Sequence, residues 1–169
     1  MAIFSGLIVS IDAFFIGISL GLQRKCRFWH IVAINAVLFV LCVLGFLLAE
    51  QIYERIPFEP DLIVGIVFIV LGFITIFQSF LLGGMEDKTI AVIGVLMSGE
   101  AMLITMGLTF IFPQAGIVLP VTVALAHFGY SALMFALSRT KYVRRIPPAF
   151  SHTVSGLALI AYGMFALIV

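Results

Sequence analysis

The stretch GLIVSIDAFFIGISLGL, Gly6 to Leu22, holds one charged residue, Asp12, near the middle of an otherwise apolar run. An ionised acid at the centre of a membrane helix is disfavoured by roughly 2.5 to 3.5 kcal/mol. How this stretch is read therefore decides the fold: it is either a spanning helix that keeps its acid for a purpose, or a buried helix of a water-soluble protein. The rest of the chain answers. Of 169 residues, 63% are hydrophobic and 10% charged, where soluble domains are about half apolar and a quarter charged.

A helix needs about 20 apolar residues to cross the hydrocarbon, and the gaps between charged residues supply six such stretches. They run near Ala2 to Leu22, Trp29 to Ala49, Leu62 to Leu82, Ile90 to Phe112, Gly116 to Leu137 and Pro148 to Ile168, with FPQAG (Phe112 to Gly116) dividing the longest run. A membrane β-barrel would show segments of about ten residues alternating in polarity. These runs are solidly apolar, so the expected class is an all-α membrane protein with six transmembrane helices.

No Lys or Arg precedes Arg24, so the first stretch lacks the basic start of a cleavable signal and is expected to remain. The loops after the first, third and fifth spans hold eight of the nine basic residues: Arg24, Lys25 and Arg27, then Lys88, then Arg139, Lys141, Arg144 and Arg145. Cytoplasmic loops are enriched in Lys and Arg, so both termini are expected outside the cytoplasm, in a multi-pass protein of a cytoplasmic membrane. A formal net charge of +1 leaves no footprint for nucleic acid, and RTKYVRRIPP reads as a topology determinant. Cys26 and Cys42 are too few for a metal or redox motif; Cys42 reads as a small apolar packer.

Sliding the chain on itself by 88 positions lays Gly6–Leu22 over GVLMSGEAMLITMGLTF, Gly94 to Phe110. Gly6, Ser10, Ala13, Ile16 and Leu20 then face Gly94, Ser98, Ala101, Ile104 and Leu108, and Asp12 falls opposite Glu100. The only two acids inside any span coincide. The small residues Gly6, Ser10, Ala13 and Gly17, and again Gly94, Ser98, Ala101 and Thr105, form stripes that let helices approach closely in lipid. The third and sixth spans match at an offset of 91, pairing Gly65 with Gly156 and Gly72 with Gly163. Three spans per copy is an odd number, so the copies, residues 1–85 and 86–169, are expected as an inverted repeat with a site near the midplane. Such stripes serve packing within one chain as readily as between chains, which leaves the oligomeric state open.

No Lys or Arg lies inside a span to offset Asp12 and Glu100. Protonation, a shared proton or an exogenous cation would each relieve them, and a metal binding there displaces protons. The polar groups at membrane depth are Ser10, Asp12, Asn35, Ser98, Glu100 and His127. Carboxylate, amide and hydroxyl oxygens suit magnesium, calcium or manganese. Met97, one turn before Glu100, reads as packing more readily than as a soft ligand. Asn35 reads equally as a ligand or as a hydrogen-bonding link from the second span to the first. His127, alone in an apolar helix, reads as a packed neutral histidine. Glu50, Glu54, Glu59 and Asp61 form an acidic outer loop, and MEDKT (Met85 to Thr89) a solvated turn.

SIDAFFIGISLGL and SGEAMLITMGL, the six-span length and the duplicated glycines resemble the MntP-type manganese efflux pumps and their YtaF-like sporulation relatives, within the wider LysE exporter superfamily. The Ser-x-Asp-Ala motif matches at Ser10, Asp12 and Ala13. The resemblance implies a bacterial secondary transporter, not an enzyme, that carries Mn2+ as substrate and has no resident cofactor. Its site would comprise Asp12 and Glu100, which also couple protons, with Asn35, Ser10 and Ser98 beside them. Two positions depart from the family: Glu100 stands where Asp is expected, and Asn35 where Glu or Gln precedes a Pro-containing stretch. GISLGLQRK is closer to the sporulation branch. An exporter of another cation or of a small amino acid, and a non-transporting membrane scaffold, remain as alternatives. Thiol-based electron transfer would want a Cys in each of the first and fourth spans, and neither has one.

Overall fold

Each of the six apolar stretches is helical in the computed structural model, which describes residues 2–22, 26–53, 55, 60–82, 90–140 and 148–168. The basic residues Arg24, Lys25, Lys88, Lys141, Arg144 and Arg145, the acids Glu54 and Glu59, and the turn 85–89 lie outside the described residues.

The helices are α1 (Ala2–Val9), α2 (Asp12–Leu22), α3 (Phe28–Tyr53), α4 (Pro60–Leu82), α5 (Ile90–Ile111), α6 (Val118–Ser138) and α7 (Pro148–Ala166). Pro60 and Pro148 each occupy the first helical position, where the missing N–H is not needed. FPQAG breaks the chain as the sequence suggests. Pro113–Ala115 form one 3-10 turn, and Gly116, at φ +54°, takes the left-handed conformation that a side chain would resist.

One feature departs from the sequence reading. The first span is not a single helix: it is interrupted at Ser10 and Ile11. There Ile11 N–H donates to Ile8 O, Ala13 N–H to Ser10 O and Phe14 N–H to Ile11 O, so three-residue bonds replace the α-helical ladder. Asp12 thereby becomes the first residue of α2.

Among the described residues, three helices, counting the interrupted first span as one, are long and apolar enough to cross a membrane: Ala2–Leu22, Phe28–Tyr53 and Val118–Ser138. Shorter apolar stretches, Leu62–Phe77, Met97–Ile111 and Gly156–Ala166, lie within α4, α5 and α7. Among the described residues there is no strand. Large apolar side chains such as Val40, Phe73, Phe77, Leu125 and Leu133 point outward, as they would toward lipid tails.

The main contacts pair α4 with α7, α3 with α5, and α2 with α6, while α3 also packs on α6. Small residues set these pairs. A Cβ on Gly72 would stand 2.5 Å from Gly156 O, and one on Gly156 would stand 2.5 Å from Gly72 O; Gly65 and Gly163 face each other in the same way at 2.9 and 2.7 Å. The two contacts run in opposite order along the helices, so α4 and α7 are antiparallel. Gly6 meets Val123, Gly17 meets Ser131 and Gly21 meets Phe135 and Ser138, so the first span runs parallel to α6. Gly94 against Ile34 and Met102 against Gly45 make α5 parallel to α3.

Burial along α3 and α6 follows one pattern. Ile31, Ile34, Asn35, Leu38, Cys42, Gly45, Phe46 and Ala49 are buried, and shifting by 89 positions lands each on a buried residue of α6, from Pro120 to Ser138. This register sets Leu38 opposite His127 and Cys42 opposite Ser131.

Candidate metal site in a buried polar layer

The described residues form two apolar clusters in the interior. One includes Val9, Leu38, Cys42, Ala101, Ile104, Leu108, Val123 and Ala124. The other includes Ile16, Leu20, Ile31, Ile34, Met97 and Phe135. Between them, each of four helical spans turns polar side chains inward: Ser10 and Asp12 between Val9 and Ile16, Asn35 between Ile34 and Leu38, Ser98 and Glu100 between Met97 and Ala101, and His127 and Ser131 between Ala124 and Phe135. All the residues marked as site candidates from the sequence fall in this layer.

The two serines are used identically. Ser10 Oγ donates to Gly6 O at 2.7 Å, and Ser98 Oγ donates to Gly94 O at 2.7 Å. The repeated Gly-x-x-x-Ser spacing is thus a back-bond to the preceding turn, an arrangement that loosens or bends a helix. Each hydroxyl keeps its lone pairs, and both side chains are fully buried.

The acids are placed differently. Asp12 is 3% exposed, and neither carboxylate oxygen has a hydrogen-bond donor among the described residues. It faces His127, whose Nε2 lies 3.3 Å from Asp12 Oδ1. Glu100 is half-buried. Its Oε1 lies 3.0 Å from Thr75 Oγ1, which is also 2.9 Å from Leu71 O, so the single hydroxyl proton serves one of the two. Asp12 and Glu100 are close enough to feel each other's charge, and His127 feels both.

Asn35 corrects one reading. Its amide joins α3 to α6 and not to the first span: Nδ2 donates to Ile31 O at 2.9 Å and to Ser131 Oγ at 3.1 Å, while Oδ1 is left without a donor. His127 is packed as expected, fully buried, and in addition faces the Asp12 carboxylate. Thr75 was not marked by the sequence at all. Met97 and Cys42 are packed as expected, with Cys42 Sγ 3.8 Å from Ala101 O.

Near one end of the bundle, Arg139 Nη2 donates to Cys26 O at 3.1 Å and the guanidinium sits 4.5 Å from the Phe135 ring centre. Burial pushes the Cys26 thiol up from its ordinary value, and the Arg139 charge partly offsets this. Cys26, just ahead of α3, and Arg139, just after α6, are therefore neighbours in space.

Among the described residues no group of three or more His, Cys, Asp or Glu side chains is placed to hold a metal ion. The layer instead offers two acids, an imidazole, an amide oxygen and hydroxyls from five helices. These are mixed hard and borderline donors, able to take up a divalent cation or protons.

Residues 1–76 match the family model described as "Putative manganese efflux pump", the family that the acidic motifs resemble. The matched part contains Ser10, Asp12, Asn35 and Thr75. No curated protein and no solved structure matches the chain.

Proposed function

We propose that the protein is a secondary exporter of manganese, moving Mn2+ outward across a bacterial cytoplasmic membrane through a site that contains Asp12 and Glu100, with Asn35, Ser10 and Ser98 beside them, in exchange for protons. The observation that carries this reading is Asp12 itself: a buried carboxylate without a hydrogen-bond donor among the described residues, 3.3 Å from an imidazole nitrogen and within Coulombic reach of a second acid. Such a group is stabilised by a cation or by a proton. The match of residues 1–76 to a manganese efflux family points to the ion.

Six spans arranged as an inverted repeat suit this task, because rocking one half against the other exposes a midplane site to each side in turn. Three observations support that arrangement. Exchanging the first three spans with the last three leaves the pairing of helices unchanged: α2 on α6 becomes α5 on α3, α2 on α7 becomes α5 on α4, and α4 on α7 maps to itself. The reciprocal Gly65–Gly163 and Gly72–Gly156 contacts obey the same exchange. So does the common burial register of α3 and α6.

Cells expressing the chain should tolerate more external manganese than cells without it, and Asp12→Asn should remove that tolerance. Unchanged tolerance in the variant would remove the mechanism. A second reading, a membrane scaffold that moves nothing, gains from the absence of a three-ligand cluster among the described residues. Proteoliposomes loaded with Mn2+ under a pH gradient separate the two, since a scaffold gives no flux.

A further inference from the structure

His127 is the residue that the efflux reading leaves without a task. Its imidazole is fully buried, and Nδ1 lies 3.1 Å from Val123 O one turn earlier on α6. That bond makes Nδ1–H the donor to the carbonyl, and Nε2 faces Asp12 Oδ1 at 3.3 Å, with a free lone pair when the ring is neutral. Histidines that bind metals characteristically donate their second ring N–H to a backbone carbonyl or a carboxylate, which sets the tautomer and orients the free nitrogen. Here Nε2, both Asp12 oxygens and Asn35 Oδ1 form the complete set of buried side-chain polar atoms left without a hydrogen-bond partner among the described residues.

Two lone-pair atoms facing each other in an apolar interior repel unless a proton or a metal ion lies between them. Their spacing suits a metal ion. Adjacent ligands on bonds of about 2.1 Å stand about 3.0 Å apart in octahedral and about 3.4 Å apart in tetrahedral coordination, and the Nε2 to Oδ1 distance is 3.3 Å. Asn35 belongs to the same layer, held by Ser131, which lies one turn beyond His127 on α6.

We propose that His127 Nε2 is a direct ligand of the transported cation, making the Asp12 end of the layer a mixed nitrogen and oxygen site. This rests on the efflux reading and narrows it. An imidazole donor beside a carboxylate favours first-row transition ions such as Mn2+ over Mg2+ and Ca2+, which an all-oxygen site would accept as readily. The register of α3 and α6 shows that this ligand belongs to one half alone, because the position equivalent to His127 is Leu38.

The test is pulsed electron paramagnetic resonance of Mn2+ bound to the purified full-length chain, prepared with natural and with 15N-labelled histidine. The expected result is nitrogen modulation that changes with the label and disappears in His127→Gln, together with a Mn2+ affinity lower by on the order of 10- to 100-fold, the scale seen for disturbed metal sites. His127→Gln should also narrow the preference for Mn2+ over Mg2+. Labelled protein carrying His30→Gln and His152→Gln, in which His127 is the sole histidine, gives the decisive signal even where His127→Gln fails to fold. Bound Mn2+ without histidine modulation overturns the ligand assignment and leaves the efflux reading standing. A chain that binds no Mn2+ overturns both.

Discussion

The segments around Asp12 and Glu100 begin alike and end differently. Both carry Gly-x-x-x-Ser with the same 2.7 Å back-bond, and both place an acid two residues later. Yet the helix breaks before Asp12 and runs unbroken through Glu100. Since the serine bond is common to both, it is not sufficient to break a helix. The acids differ in the relevant way. Asp is a poorer interior helix former than Glu, competes locally for backbone groups, and is favoured in the first turn of a helix, where Asp12 sits. One methylene separates a carboxylate at a helix start from one on a continuous helix.

The surroundings diverge too. Asp12 faces His127, whose counterpart is Leu38; Glu100 faces the hydroxyl of Thr75. The two segments thus sit in unlike surroundings: among the described residues, one faces buried polar atoms without partners, and the other is a half-buried acid beside a threonine. The lesson is that the repeat specifies packing, while single side chains specify chemistry.

The largest expected effect separates the halves by charge. Asp12→Asn should abolish manganese efflux, whereas Glu100→Asp, which keeps the acid and shortens its arm, should retain measurable flux. Equal loss in both, in a proteoliposome assay, would erase the distinction drawn between the two carboxylates.

A second contrast uses proline at the equivalent positions 11 and 99. In the continuous helix Gly99→Pro should destabilise by about 3 kcal/mol or more, the usual effect of an interior proline. Ile11→Pro loses the three-residue bond to Ile8 O but falls where the α-helical ladder is already interrupted, and should be the milder change. Thermal unfolding in detergent ranks them, and the reverse order would mean that the break at Ser10–Ile11 is not a property of the folded protein.

Smaller effects probe the frame that the halves share. Gly72→Ala and Gly156→Ala each push a methyl toward the partner helix backbone and should destabilise by about 1 to 3 kcal/mol, the range for overpacking. They should do so equally, because the contact is reciprocal. Gly129→Ala, with nothing within 4 Å of the new methyl, should be neutral or gain up to about 1 kcal/mol from helix propensity. Thr75→Val removes the only hydrogen-bond donor seen for Glu100 among the described residues and should destabilise by about 1 to 3 kcal/mol, with no counterpart effect in the first half.

Much of this was legible in the sequence. Apolar stretches of spanning length, FPQAG as a break, and the coincidence of Asp12 with Glu100 all follow from composition and spacing. The glycine pairs of the third and sixth spans were visible as a repeat, though not as partners in one contact. What escaped depends on which helix faces which. Asn35 could be seen as a buried amide, but only the packing of α3 on α6 gives it Ser131. His127 looked inert because a lone histidine in an apolar helix has no periodic signal; its reach to Asp12 depends on the parallel register of the first span and α6. Thr75 resembled any small residue of a spanning helix. The interruption at Ser10–Ile11 has neither Gly nor Pro to announce it, and the clue was the Asp itself.

The most direct measurement of the central claim is equilibrium binding of Mn2+ to the purified chain, alone and with Asp12→Asn and Glu100→Gln combined. A cation site built on both acids predicts one saturable ion per chain and its loss in the double variant. Binding that survives neutralisation of both carboxylates would contradict it.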